Sequence, residues 1–146
     1  MSYQIRFMDK GDIAQVHQLL VEFATFIGRP EKLIITPDKM HKDLGKFNCI
    51  IACEGNDVMG FASFFPAYYS WSGSAYYLDD LYVQPAHRGK GLGQALLDTV
   101  IAEAKKAGCY KLKWQVSRWN QRAISFYQKQ GAIIHDVEIN CDLILS

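Results

Sequence analysis

Two groups of residues in this 146-residue chain have types and spacings that could do chemistry. The first is Arg88-Gly89-Lys90-Gly91-Leu92-Gly93-Gln94. Glycines let a backbone approach a ligand closely and adopt positive φ without a side-chain clash. A helix expected to start within this segment adds free N–H groups and a partial positive charge. With the full charges of Arg88 and Lys90, the segment reads as a cradle for a pyrophosphate. A P-loop would need G-x-x-x-x-G-K-[ST], which is absent. Glycines at 89, 91 and 93 give G-x-G-x-G rather than the G-x-G-x-x-G of a dinucleotide site. A purely connecting Gly-rich turn is the plainer alternative, although three alternating glycines between two cations exceed what a turn requires.

The second group is Asp79-Asp80, set in the run AYYLDDLYV, together with Tyr127 further on. In a regular strand the two carboxylates point to opposite faces, one to a cleft and the other to solvent or a partner. A hydrogen-bonded structural Asp is the alternative. Phe126 and Tyr127 would by default be core aromatics, but a buried phenol needs a partner and can donate a proton. Asn120 lies seven residues before Tyr127, two helical turns, so both can face one site. An Asn at a helix start is also ordinarily a cap.

The elements that must position these residues follow from periodicity. Residues 3–8 read as a strand. Asp12 is expected to cap a helix whose apolar face runs from Ile13 to Ile27. Thr36-Pro37-Asp38 starts a second helix. Residues 47–53 and 58–65 read as antiparallel strands around a turn at 54–57, and 66–74 as a loop. Residues 75–83 form a further strand, followed by a long helix ended by Gly108, a strand over 110–116, a helix over 120–130 and one or two closing strands within 133–145. The order predicts one mixed α/β or α+β domain over residues 1–146. Its central, mostly antiparallel twisted sheet has about 6–7 strands and about 4 flanking helices.

Composition excludes several classes. Sixteen Lys+Arg against fifteen Asp+Glu leave a net charge of +1, which argues against nucleic acid as a partner. No apolar run approaches the roughly 18 residues of a membrane span, and MSYQIRFMDK lacks a signal-peptide core, so a cytoplasmic location is expected. The four His and four Cys show no metal-ligand spacing, and no metal is expected. Neither Ser nor Cys sits in a nucleophile motif such as G-x-S-x-G, which argues against covalent catalysis.

Arg88–Gly93 resembles the R/Q-x-x-G-x-G/A motif of the GNAT superfamily of acetyltransferases. The strand LDDLYV before it, Pro85 in the connection and the long helix after it match that context. Residues 77–93 and 119–132 together resemble the diamine (spermidine/spermine) branch and its thialysine-acetylating relatives, most strongly from Leu78 to Ala132. The resemblance implies the GNAT fold and acetyl-CoA as co-substrate. Its pyrophosphate would lie on residues 88–94, and its acetyl and pantetheine arm on Leu81, Tyr82 and Val83 beside a strand bulge. Asn120 and Ala123 would add contacts. The resemblance further implies Tyr127 as the acid that protonates the thiolate, Asp79 as a water-mediated base, Asp80 as a binder of the substrate's positive charge, and a homodimer. The branch typically carries Glu at the position of Asp79.

On the acceptor side, Tyr68, Tyr69, Trp71, Tyr76, Tyr77 and Trp119 could flank a cationic amine, with Glu22 as an acidic wall. The expected activity is therefore acetyl-CoA-dependent transfer to the primary amine of a small cationic substrate, polyamine- or lysine-like. Acetylation of protein N-termini or lysines, and a non-catalytic acyl-CoA-binding module, are the alternatives.

Overall fold

The strand of residues 48–54 is buried at five consecutive positions, which is the pattern of a strand covered on both faces of its sheet. It is β2 of a five-stranded sheet in the order β1 (Gln4–Phe7), β2 (Asn48–Glu54), β3 (Asp57–Tyr69), β4 (Gly73–Val83), β5 (Lys111–Lys113). Neighbours are antiparallel except β4 and β5, which are parallel. The computed structural model describes residues 2–145. The chain divides into two units, Met1–Trp114 and Gln115–Ser146.

In the first unit, α1 (Ile13–Phe26) and α2 (Pro37–Lys42) cover one face of the sheet. Ile13, Val16, Leu19 and Met40 pack there with Cys49, Ile51, Cys53 and Phe61. By alternation Ile50 and Ala52 face the other side. There α3 (Leu92–Lys106) contacts the sheet and buries Leu92, Leu96, Leu97, Val100 and Ala104. Burying a Leu or Ile side chain contributes about 1.5–3 kcal/mol, so these two layers supply most of the folding drive. Thr36 caps α2 through a bond from the Lys39 N–H at 3.2 Å, as its sequence predicts.

Two expectations fail. The loop expected over 66–74 is instead the outer half of a long β3–β4 hairpin, whose turn is confined to residues 70–72. Cross-strand aromatic pairs hold it, with Phe65 on Tyr77 at 5.2 Å and Phe64 against Tyr76 at 5.3 Å. Pro66 is tolerated because β2 ends opposite Phe64, which leaves that edge of β3 open and needs no N–H there. The second unit contains α4 (Gln121–Lys129) and, among its described residues, no strand. The sheet therefore has five strands rather than six or seven. The apolar positions 133, 137, 139 and 143–145, read from the sequence as closing strands, are exposed.

Asp12 precedes α1 as expected, but its carboxylate does not cap that helix. It takes a two-pronged bond from Arg6 at 2.7 and 3.0 Å and one from the Asp9 N–H at 2.9 Å, tying β1 to the start of α1. The Arg6 bond is the main cause that holds its carboxyl below the ordinary 3.8. A lowered folded value means the stabilisation is present above the ordinary carboxylate range and is lost as pH falls through the lowered value. Asp12→Ala is expected to cost about 2–3 kcal/mol in urea unfolding at pH 7, because Arg6 loses its partner. The difference should shrink toward pH 2.

Candidate active site

The pairing of β3 with β4 slips at one point. Ser63 lies opposite Asp80, yet the next residue, Phe64, lies opposite Leu78, so Asp79 is the extra residue of a bulge. A regular strand would send the two carboxylates to opposite faces. The bulge overturns that expectation and brings both to the wall of one cavity on the α1–α2 face. Beyond Tyr77 the second edge of β4 has no strand partner among the described residues, because β5 pairs only with Ala75–Tyr77. Leu81 and Val83 thus lie on an open backbone edge beside the carboxylates.

The cavity measures about 410 Å³, within the range of small-molecule sites. Val16, Leu20, Met40, Phe47, Phe61 and Phe64 give it apolar walls. That environment changes how the acids titrate. Burial raises the Asp79 carboxyl above its ordinary value. Burial first, and the charge of Asp79 second, push Asp80 up to about 7. Asp79 is the more exposed of the two and Asp80 is half-buried, so Asp80 is the one displaced furthest. Of the first-unit aromatics expected to flank the acceptor, none is among the residues lining the cavity, but burial first and then the charges of Asp79 and Asp80 raise the Tyr77 hydroxyl above its ordinary value, which puts Tyr77 near the carboxylates. Trp71 is fully exposed at the hairpin end, and Tyr69 sits under Lys111 and Lys113 at 4.6 and 5.0 Å. Sequence reasoning missed the residues that do line the cavity, Ser63, Asp43 and Lys46 among them. They become visible only through the register of the sheet.

The glycine segment forms the connection from β4 to α3. Gly91 occupies the N-cap of α3 at φ +80°, a conformation other residues adopt only with strain. The first turn of α3 has no side-chain cap and no acidic residue. Its free N–H groups and positive end therefore meet no anion within the helix. Arg88 fastens the segment to the strand. Its Nε donates to the Val83 carbonyl at 2.9 Å, and its guanidinium lies over Phe26 and Tyr82 at 5.3 and 5.6 Å. Lys90 is exposed.

Glu22, expected as an acidic wall, lies on α1. It accepts bonds from the Tyr82 hydroxyl at 3.3 Å and from Gln84 Nε2 at 3.1 Å. It therefore braces α1 against the end of β4 and does not line the cavity. Tyr82 is buried and stacked on Phe23 at 5.1 Å. At Gly60, opposite this turn, a Cβ would stand 2.8 Å from the Tyr82 carbonyl, so β3 must carry glycine there.

In the second unit, Asn120 is the N-cap of α4 and accepts from the Ala123 N–H at 3.2 Å, the ordinary role for Asn at that position. Tyr127 is half-buried and lies 5.4 Å from Phe126, ring to ring. Trp119 is exposed.

Residues 13–132 match the acetyltransferase (GNAT) family model. The chain belongs to this family and is an acyltransferase with the GNAT fold. It is 29% identical to the thialysine N-epsilon-acetyltransferase of Bos taurus, over 88% of this chain and 82% of that one. It is 32% identical to the spermidine/spermine N(1)-acetyltransferase-like protein 1 of Homo sapiens, over 90% of this chain but 20% of that longer one. An aminoglycoside acetyltransferase from a soil metagenomic sample, solved with sisomicin, superimposes at a TM-score of 0.80, over 99% of this chain and 97% of its own. At 16% identity that likeness speaks to fold alone.

Enzymes of this family use acetyl-CoA as co-substrate. The residues present fit its pyrophosphate, since an uncapped helix start preceded by a left-handed glycine and Lys90 offers what a phosphate requires. Among the described residues no group of His, Cys, Asp and Glu could hold a metal ion, and no helix is long and apolar enough to cross a membrane.

A raised carboxyl value carries a stability signature. Between the ordinary 3.8 and about 7 the folded protein holds a proton on Asp80 that the unfolded chain releases, so stability falls as pH rises through that window. Asp80→Asn is therefore expected to stabilise the fold at pH 8. The gain should be on the order of 1 kcal/mol, less than the full linkage value because solvent reaches the group. The gain should vanish near pH 4, and thermal unfolding at the two pH values checks it.

Proposed function

We propose that the chain, acting as one domain over residues 1–146, is an acetyl-CoA-dependent N-acetyltransferase. The acceptor is the primary amine of a small cationic substrate, polyamine- or lysine-like, which attacks directly in a ternary complex. One observation carries this reading: a pair of carboxylates in an apolar cavity, next to an open strand edge and a helix start that suits a phosphate.

Acetyl-CoA supplies the acetyl group as a thioester. The N–H groups of Gly89 to Gln94 and the Lys90 ammonium hold its pyrophosphate, and Arg88 keeps that loop in place. The backbone of Leu81 to Val83 holds the acetyl and pantetheine arm, with the Leu81 N–H on the thioester carbonyl. Asn120 and Ala123 contribute from the start of α4, and Trp119, just before it, flanks the amine. The amine arrives as an ammonium, drawn by Asp79 and Asp80. It gives one proton to that pair and attacks as the neutral form. A second proton leaves the nitrogen as the C–N bond forms. Tyr127 gives a proton to the departing sulfur and is re-protonated from solvent, so each turnover releases one net proton. The roles of Tyr127, Asn120 and Ala123 rest on the resemblance of residues 119–132 to the family's last helix. A homodimer and a cytoplasmic location belong to the same reading.

Thiol release from acetyl-CoA across a panel of amines, with CoA binding followed by calorimetry, tests this proposal. Turnover of at least one amine is expected, and an absence of CoA binding would sink the assignment. Tyr127→Phe should cut turnover about 100-fold while leaving CoA affinity nearly unchanged. Because Asp80 must be ionised to hold the substrate's positive charge beside the base Asp79, kcat/KM should rise with pH through about 7 and then level off. A flat profile between pH 5.5 and 8.5 would contradict the role of the pair.

A further inference from the structure

Three oxygen-bearing side chains meet at one point on the cavity wall. Ser63 on β3 lies directly opposite Asp80 on β4, and the ladder slips at the next residue to insert Asp79. All three line the cavity. Among the described residues lining it, Ser63 carries the one hydroxyl, and that residue is half-buried. Phe61, two residues before it, and Phe65, two residues after, line the same cavity, so the hydroxyl stands in an apolar stretch of wall. The cavity's third carboxylate, Asp43, is already paired with Lys39 at 3.1 Å and Lys46 at 3.4 Å. Asp79 and Asp80 are raised by burial and, for Asp80, by its neighbour's charge. No hydrogen bond enters among those causes, so their oxygens are open to a ligand.

The ammonium of a primary amine carries three N–H donors and no acceptor. Three oxygens set tetrahedrally about one nitrogen, each about 2.9 Å from it, stand about 4.7 Å from one another. Residues directly opposite on antiparallel strands have Cβ atoms about 4.5–5.5 Å apart, so the Ser63 hydroxyl and an Asp80 oxygen meet that spacing. The bulge supplies the third oxygen through Asp79.

We propose that Ser63 is a substrate-binding residue: its hydroxyl accepts one N–H of the acceptor's ammonium while Asp79 and Asp80 accept the other two, and this three-oxygen seat selects a primary amine over its N-methyl form. The inference rests on the acetyltransferase reading and adds to it a residue that senses substitution on the nitrogen. A secondary ammonium has two N–H donors, and the carboxylates take both because charged acceptors bind more strongly. Its methyl group then stands at the hydroxyl and leaves that group unpaired in an apolar wall. Once one proton has passed to the carboxylate pair, two N–H groups remain on a neutral primary amine. Ser63 still holds one of them, since a hydroxyl does not itself take up the proton.

Cadaverine and N,N′-dimethylcadaverine form the matched pair for the test, since the two ends of each are alike. Wild-type kcat/KM should favour cadaverine. Ser63→Ala should lower the value for cadaverine about 10-fold, mainly through KM, and leave that for the methylated amine unchanged or higher. Ser63→Thr, which keeps the hydroxyl, should keep the wild-type ratio. CoA affinity by calorimetry should be the same in all three proteins. A ratio of the two amines unchanged in Ser63→Ala overturns the inference, as does a Ser63→Thr protein that behaves like Ser63→Ala. A wild-type protein that binds CoA but prefers the methylated amine, or turns over neither, overturns it as well. Failure of the acetyltransferase reading would show itself separately, as absent CoA binding.

Discussion

One slipped residue in the β3–β4 ladder sets the arrangement of the rest of the site. Had β4 stayed regular, Asp79 and Asp80 would have faced opposite sides of the sheet. One would have met the layer of α3, where an unpaired carboxylate is expensive to bury. The bulge at Asp79 turns both to the α1–α2 face, where the cavity is. It also lies where β4 loses its second partner, since β5 ends opposite Tyr77. Cleft, carboxylates and open backbone edge therefore have one local origin. The raised Asp80 carboxyl follows from it, through burial against the apolar cavity first and the neighbouring charge of Asp79 second.

The strand edge and the glycine segment act as one rigid piece. Arg88 ties the segment to the Val83 carbonyl and stacks over Tyr82. Glu22 ties Tyr82 and Gln84 to α1. Arg88 and Glu22, expected from the sequence as cofactor and substrate contacts, each make one of these ties. Gly60 allows the close approach of β3 to Tyr82 that this frame needs.

The amino-acid sequence already carried the helices, the hairpin turn at 54–57, the Thr36 cap and the glycine segment, because each is a local pattern. The motif around residues 88–93 also carried the family. What stayed hidden is non-local. The length of the β3–β4 hairpin depends on cross-strand pairs such as Phe65 with Tyr77, and Pro66 suggested a break that an open edge makes unnecessary. The pairing of Asp12 with Arg6 replaced an ordinary cap because β1 runs close by. Lys46 and Asp43 sit more than 30 residues from the carboxylates, and only the order of strands brings them to the same cavity. The apolar positions after residue 132 alternated like a strand, but alternation does not supply a partner.

The chemistry of the site depends most on two adjacent carboxylates on one cavity wall. Carbon-detected NMR titration of the Asp79 and Asp80 carboxyl groups, without amine and then with it, measures this directly. Asp80 is expected to titrate near 7 and to respond to the ionisation of Asp79, and Asp79 to titrate above its ordinary value. Bound amine should lower the higher value, because an ammonium favours the ionised pair. Two independent titrations near 4, unmoved by amine, would contradict it.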